Sequence, residues 1–418
     1  MVHFLHTADI HLDSPLRGLE AHEDAPVEEI QGATRRAFDN LVDLAIEEEV
    51  DFVLIAGDLF DGDWKDYNTG LYFAGRMGRL AKAGIKVFIV SGNHDAASQI
   101  TKAMPLPENV TLFPHKNPHS VKLNDLGIII HGQSYSSRAV TGNLASQYPQ
   151  HDPNYFNIGL LHTSLTGREG HENYAPCTLD DLVSKGYDYW ALGHIHKREV
   201  VSQEPLMVFP GNIQGRHIKE TRAKGVTLVT VEDGQVVEIQ ERELDVLRWA
   251  ICKVDVAGCE SREAVYEQVR SAMEKEHGLA EGKTLAVRLH LEGRCPLHHE
   301  LHARSDQWTE EFRGIAAELG DVWLEEVKFR TTREIALEEV VGEDTPLAGL
   351  LPAVEDLDFG SCAITDLIPD LANLKTKLPA ELLDGDCILE RSPEDLAEAR
   401  EETKELLIAK LLQHGSEA

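Results

Sequence analysis

A chain of 418 residues exceeds the size at which one hydrophobic core keeps growing, so two domains are expected, with room for a third small module. Its formal charge of −32 and pI near 4.9 argue against a generally basic nucleic-acid-binding surface, because neutralising phosphates takes lysine and arginine. Any DNA would have to meet a local basic patch or be held by a partner.

The six cysteines form no CxxC pair, which fits reduced thiols in a cytoplasmic setting. No apolar run has the length of a membrane span, and Met1-Val2-His3-Phe4-Leu5-His6 lacks the basic and apolar regions of a signal peptide, so no membrane association is expected. Those residues read instead as a first strand. It leads into Thr7-Ala8-Asp9-Ile10-His11-Leu12, where Asp9 and His11 stand two apart and so on one side of an extended segment, able to grip one ion. The plainer alternative is an N-cap aspartate beside a surface histidine.

Apolar residues at Ala37, Leu41, Leu44 and Ala45 mark a helix over 33–49 with an acidic outer face. Asp51-Phe52-Val53-Leu54-Ile55-Ala56 is then a buried strand, delivering Gly57-Asp58-Leu59-Phe60-Asp61 where open α/β sheets collect their chemistry. A second helix over 67–83 carries Leu71, Ala74, Met77 and Leu80 and ends at Gly84. Ile85 to Val90 forms a third strand and exits through Ser91-Gly92-Asn93-His94-Asp95. Asn93 offers a hard oxygen ligand and His94 a group placed to reach substrate, although the same residues also form ordinary turns.

Short strands follow between Val110 and His131. Two more strand exits then supply His162 and the pair His194 and His196 in Gly193-His194-Ile195-His196. Beyond Phe209-Pro210-Gly211-Asn212 the chain gathers Arg216, Lys219, Arg222 and Lys224, its densest basic stretch; Arg216 and His217 are the candidate substrate-binding residues, against the reading of a solvated turn. A hairpin at Asp233-Gly234 closes this domain near residue 245. From 246 to 331 a β-α-β-α-β order suggests a small α/β capping module, in which Cys295, His298, His299 and His302 read as a loop without zinc-site spacing. Residues 332–418 are irregular and end in an amphipathic stripe over Pro393 to Gln413, suited to the protein's own core or to a partner's helices.

Taken together, the motifs offer Asp9, His11, Asp58 and His196 for one ion and Asp58, Asn93, His162 and His194 for another, with Asp58 shared. Mixed imidazole and oxygen ligation suits Mn, Fe or Zn better than Mg or Ca. Two such ions activate water and clamp a phosphate for in-line attack; His94 is then the natural proton donor to the leaving oxygen, held charged by Asp61.

The series D-x-H, GDxxD, GNHD, a lone His and GHxH over residues 1–245 resembles the calcineurin-like metallophosphoesterase superfamily. His6-Thr7-Ala8-Asp9-Ile10-His11-Leu12-Asp13-Ser14-Pro15-Leu16, with Pro210-Gly211-Asn212-Ile213-Gln214-Gly215-Arg216-His217, resembles its SbcD-type DNA repair nucleases, in the YhaO-like branch. The resemblance implies an α/β/β/α sandwich with a capping module, a two-metal phosphodiesterase acting as a Mn-dependent exonuclease or endonuclease on DNA, and His94 as the catalytic histidine. It also implies an SbcC-like SMC-type ATPase subunit held by the C-terminal helices, and a homodimer is left open. The alternatives are a phosphodiesterase or phosphatase on a small or protein substrate, and a scaffold with a dead phosphoesterase fold.

Overall fold

The computed structural model describes residues 1–14, 32–61, 67–97, 106–165, 174–333, 403–404 and 406–408. Its contacts divide into two compact units, with the division between Trp249 and Ala250. Of the terminal amphipathic stripe only 403–404 and 406–408 are among the described residues, and the rest of the chain after Arg333 lies outside them.

The first unit runs β1 (Val2–Thr7), α1 (Ala33–Glu47), β2 (Phe52–Ala56), α2 (Tyr67–Lys82), β3 (Lys86–Val90), α3 (Asn93–Ala97), β4 (Val110–Leu112), β5 (His119–Leu123), β6 (Ile128–Gly132), β7 (Phe156–His162), α4 (Leu179–Val183), β8 (Tyr189–Gly193), β9 (Glu199–Gln203), β10 (Leu206–Phe209), β11 (Gly225–Glu232) and β12 (Gln235–Glu243). One six-stranded sheet has the order β12-β11-β1-β2-β3-β4, the other β5-β6-β7-β8-β10-β9. In each, four neighbouring strands are parallel, and antiparallel strands occur only toward the edges.

The continuous apolar runs follow from burial on both faces of the parallel strands. Leu5, Val53, Ile55, Val87 and Ile89 pack with Phe38, Leu41, Phe73 and Met77 of α1 and α2. Their alternates Phe4, Phe52, Leu54, Phe88 and Val90 meet Ile130, Ile158, Leu160, Tyr189 and Val208 of the other sheet. The outer face of that second sheet is covered around Trp190, Tyr148, Tyr187 and Leu182 of α4. These layers give the mixed α/β sandwich that the resemblance implied. The exits of β2 and β8 pack directly against each other. A Cβ built on Gly193, at the end of β8, would stand 1.9 Å from the Ala56 carbonyl oxygen at the end of β2, so only glycine lets the two exits meet.

The second unit takes in most of β13 (Leu247–Asp255), then α5 (Arg262–Leu279), β14 (Thr284–Cys295), α6 (His298–Ala303), α7 (Ser305–Leu319) and β15 (Val322–Arg333). Its sheet order is β13-β14-β15, with β14 and β15 parallel. Its core gathers Val265, Val269 and Met273 of α5, Val287, Leu289 and Leu291 of β14, and Trp308 and Phe312 of α7.

One expectation is corrected here. The stretch around His298, His299 and His302 is not a loop: β14 extends to Cys295, and α6 begins soon after Pro296, where proline closes off a strand without obstructing a helix. Burial drives the turn of helix, because His298 and His302 share one face and both imidazoles meet the Thr331 hydroxyl, at 2.9 and 3.3 Å.

Candidate metal centre

Each predicted ligand lies just beyond a parallel strand or at its end: Asp9 and His11 after β1, Asp58 after β2, Asn93 after β3, His162 at the end of β7, and His194 and His196 after β8. The backbones of the first two exits run together, with the Asp9 amide donating to the Gly57 carbonyl and the His11 amide to the Asp58 carbonyl, both at 3.0 Å. The His94 amide donates to Asp58 Oδ1 at 3.0 Å, and the His194 amide donates to Asp9 Oδ2 at 3.0 Å. Asp9, His11, Asp58 and His194 all hold positive φ, at 50, 46, 51 and 107°. Such backbones cost about 1–3 kcal/mol each in a residue with a side chain and concentrate at functional sites.

Three groups of side chains converge closely enough to hold metal ions: Asp9, His11 and His196; Asp58, His162 and His194; and His11, Asp58 and His94. Among the described residues no other group does so, and the cluster around His298 is not one of them. His162 tests the fit most clearly. Its Nδ1 lies 2.8 Å from the Ala56 carbonyl, which can only accept, so that nitrogen carries the proton. Its Nε2 then faces Asn93 Oδ1 at 3.0 Å and Asp58 Oδ2 at 3.4 Å. A neutral imidazole there would set its lone pair against two oxygens, and a cation between them removes the conflict. His196 repeats the pattern. Its Nδ1 meets Glu220 Oε1 at 2.6 Å, and its Nε2 stands 3.3 Å from His11 Nε2 and 3.8 Å from Asp9 Oδ1. A carboxylate or carbonyl behind a ligating imidazole is the usual way to fix its tautomer and aim.

The electrostatics agree with this arrangement. Burial, reinforced by the Arg216 charge, pushes His11 down to about 3, so it stays neutral and free to ligate. Burial works against a charged His162 too, but the Asp58 carboxylate overrides it and raises His162 to about 9, so a proton stands where a cation would. Burial penalises the Asp58 carboxylate, yet His162 and His94 hold it well below the usual range; Asp9 is pushed up by its own burial.

His94, which shares the third group with His11 and Asp58, is more open than either. Its side chain is 28% exposed, and its Nδ1 lies 2.6 Å from Asp61 Oδ1. Burial opposes its charge, but Asp58 and Asp61 together raise it above its ordinary value. Asp61 in turn accepts from the Ser14 hydroxyl at 2.6 Å.

The basic stretch divides. Arg216, 16% exposed in its side chain, turns inward, with Nη2 3.5 Å from Glu220 Oε1 and Nη1 3.9 Å from Asp61 Oδ2. Lys224 donates to the His196 carbonyl at 3.2 Å, and His217 lies 3.6 Å from Glu220. Lys219 and Arg222 are the two cations of the stretch that face solvent. The four cations of the stretch therefore differ in place: Arg216 is half-buried at the centre, Lys224 is tied to the His196 carbonyl, and Lys219 and Arg222 lie at the surface. The organising residue is Glu220, which no sequence motif marks: its Oε2 accepts from Asn212 Nδ2 and the Arg216 amide, each at 2.8 Å. Asp95 is likewise unmarked beyond its place in a turn motif. It accepts from the amides of Leu59 at 3.2 Å, Phe60 at 2.9 Å and Gly92 at 3.0 Å, locking the exits of β2 and β3 together.

Residues 2–198 match the calcineurin-like phosphoesterase family, and residues 249–332 match the middle domain of metallophosphoesterase YhaO. The chain is 39% identical over 326 residues to the uncharacterized metallophosphoesterase YhaO of Bacillus subtilis, covering 75% of this chain and 79% of that protein. It belongs to the calcineurin-like metallophosphoesterase family, in its YhaO-like branch. Membership makes it a metal-dependent phosphoester hydrolase, of a family that uses two divalent ions. The DNA double-strand break repair protein Mre11 of Sulfurisphaera tokodaii is 27% identical over 286 residues, 65% of this chain and 68% of that protein. A dimetal phosphatase from Danio rerio matches in structure with a TM-score of 0.35 and 11% identity, over 56% of this chain and 93% of that one. No helix among the described residues is long and apolar enough to cross a membrane.

Proposed function

We propose that this metallophosphoesterase is a two-metal DNA phosphodiesterase, a nuclease subunit of a DNA repair exonuclease, with Mn as its native ions. The observation that carries the reading is the pairing of an ion-binding centre around Asp58 with a partly open His94 whose Nδ1 lies 2.6 Å from Asp61. A phosphodiester needs both, since its alkoxide leaving group must be protonated. Similarity to a DNA repair protein over 65% of the chain supports DNA as the substrate class.

Asp9, His11, Asp58 and His196 would hold one ion, and Asp58, Asn93, His162 and His194 the other. When bound, the ions supply positive charge that activates water and offsets the developing charge on phosphorus-bound oxygens. Water attacks phosphorus and gives up one proton to solvent, the bond to the leaving oxygen breaks, and His94 delivers its proton to that oxygen. Asp61 keeps His94 protonated beforehand. Glu220 and the Ala56 carbonyl hold His196 and His162 in one tautomer, and Arg216 presents a half-buried positive charge beside Asp61 and Glu220 that would meet a phosphate oxygen.

The reading includes an SbcC-like SMC-type ATPase as partner, gripped by the segment after Arg333, and a cytoplasmic location. A partner of that kind would supply the DNA-gripping surface that a chain of net charge −32 lacks. The same acidity favours a second reading, hydrolysis of a small phosphodiester. The deciding experiment is degradation of end-labelled duplex DNA in Mn, with His94→Ala as control and cyclic nucleotides in parallel. Mn-dependent cleavage of DNA that His94→Ala loses supports the nuclease; turnover of the cyclic nucleotides alone replaces it with the second reading.

A further inference from the structure

Tyr135, just past β6, takes no part in the ligand sets above. Its neighbour Ser134 accepts from the Ser91 amide at 2.9 Å, and the Tyr135 amide donates to the Ser91 carbonyl at 2.9 Å, so this segment is fastened to the exit of β3 beside Asn93. The ring crosses His162 edge to face, with centroids 5.3 Å apart and planes at 83°. The residue is 3% exposed, and its hydroxyl has no hydrogen-bond partner among the described residues. Asp58 and Asp9 lie close enough to act on it electrostatically, and with burial they raise it well above the ordinary phenol value, which keeps it a donor.

Buried hydroxyls are nearly always satisfied, and one left bare beside a catalytic centre points to a partner that arrives from outside. Phenylalanine would fill the same space without that penalty. We infer that the Tyr135 hydroxyl donates a hydrogen bond to a phosphoryl oxygen of the substrate, on the His162 side of the centre. The assignment rests on a phosphate ester being the substrate.

The test compares full-length, Mn-loaded wild type with Tyr135→Phe. Inorganic phosphate binding is followed by calorimetry, hydrolysis of bis(p-nitrophenyl) phosphate by absorbance, and Mn content and thermal midpoint are measured alongside. Loss of one hydrogen bond to a charged oxygen weakens phosphate binding, and lowers kcat/KM where turnover is present, by about tenfold or more. Mn content stays at the wild-type level, and the thermal midpoint is unchanged or higher, because an unsatisfied group has been removed. Phosphate affinity within about twofold of wild type overturns the assignment. So does a loss of Mn or a lowered midpoint, which would mark Tyr135 as a packing residue. If the wild type hydrolyses no phosphodiester, the proposed function fails while the phosphate titration still decides the role of Tyr135.

Discussion

At the scale of single residues the centre separates two uses of histidine. His11 and His162 are fully buried and either neutral or matched to a cation, whereas His94 is partly open and has its charged form favoured by Asp58 and Asp61. A proton donor of this kind contributes about a hundred- to ten-thousandfold. His94→Ala should therefore lose turnover by about that factor while binding the same amount of Mn, whereas Asp58→Ala should lose both. The pH dependence follows from the sign of the shift: His94 must be protonated and its value is raised, so the rate falls as pH climbs through a value above that of an ordinary imidazole. In His94→Ala this alkaline limb should disappear; its persistence would assign the limb to another group. Glu220 gives a second residue-scale prediction. Glu220→Gln keeps the shape but weakens the hold on His196 Nδ1, and calorimetric Mn titration should show about a ten- to hundredfold weaker site, the usual cost of removing such a support.

At the scale of elements, the strands that carry ligands were legible because burial on both faces writes an unbroken apolar run, and the ligand motif follows each run directly. The supports were not. Glu220 lies in an irregular segment with no period, and its role exists only because the 210–220 backbone folds back on His196. Arg216 was legible as a candidate substrate-binding cation, but not its hold on Glu220, because sequence records the cation and not the direction of its side chain. Asp95 looked like a turn residue, although it accepts three amides from two strand exits. Packing at those exits is tight enough to test. A Cβ at Gly92 would stand 2.2 Å from Asp58 Oδ1 and 2.9 Å from the Asp58 amide nitrogen. Gly92→Ala should cost about 1–3 kcal/mol of stability through overpacking and weaken Mn binding by displacing Asp58. Wild-type Mn affinity in that variant would show that the exits yield more readily than their contacts imply.

At the scale of the whole molecule, two facing sheets exist so that five strand exits can meet, and the centre joins their stability. With metal stripped by chelator, the proton on His162 substitutes for a cation beside Asp58. The folded value of about 9 lies above the ordinary 6.5, so this contribution is complete below about pH 6.5 and lost as pH rises through 9. The thermal midpoint of the stripped protein should fall across that window, and Mn should restore it most strongly at the alkaline end, where no proton competes. A midpoint that is flat between pH 6.5 and 9 would contradict the coupling. The central claim is narrower: Asp58 is shared by two ions held close together. Electron paramagnetic resonance of the Mn-loaded protein reads this directly. The account predicts the multiline spectrum of an exchange-coupled Mn pair, absent in Asp58→Ala; a simple six-line spectrum of isolated Mn at full loading would contradict it.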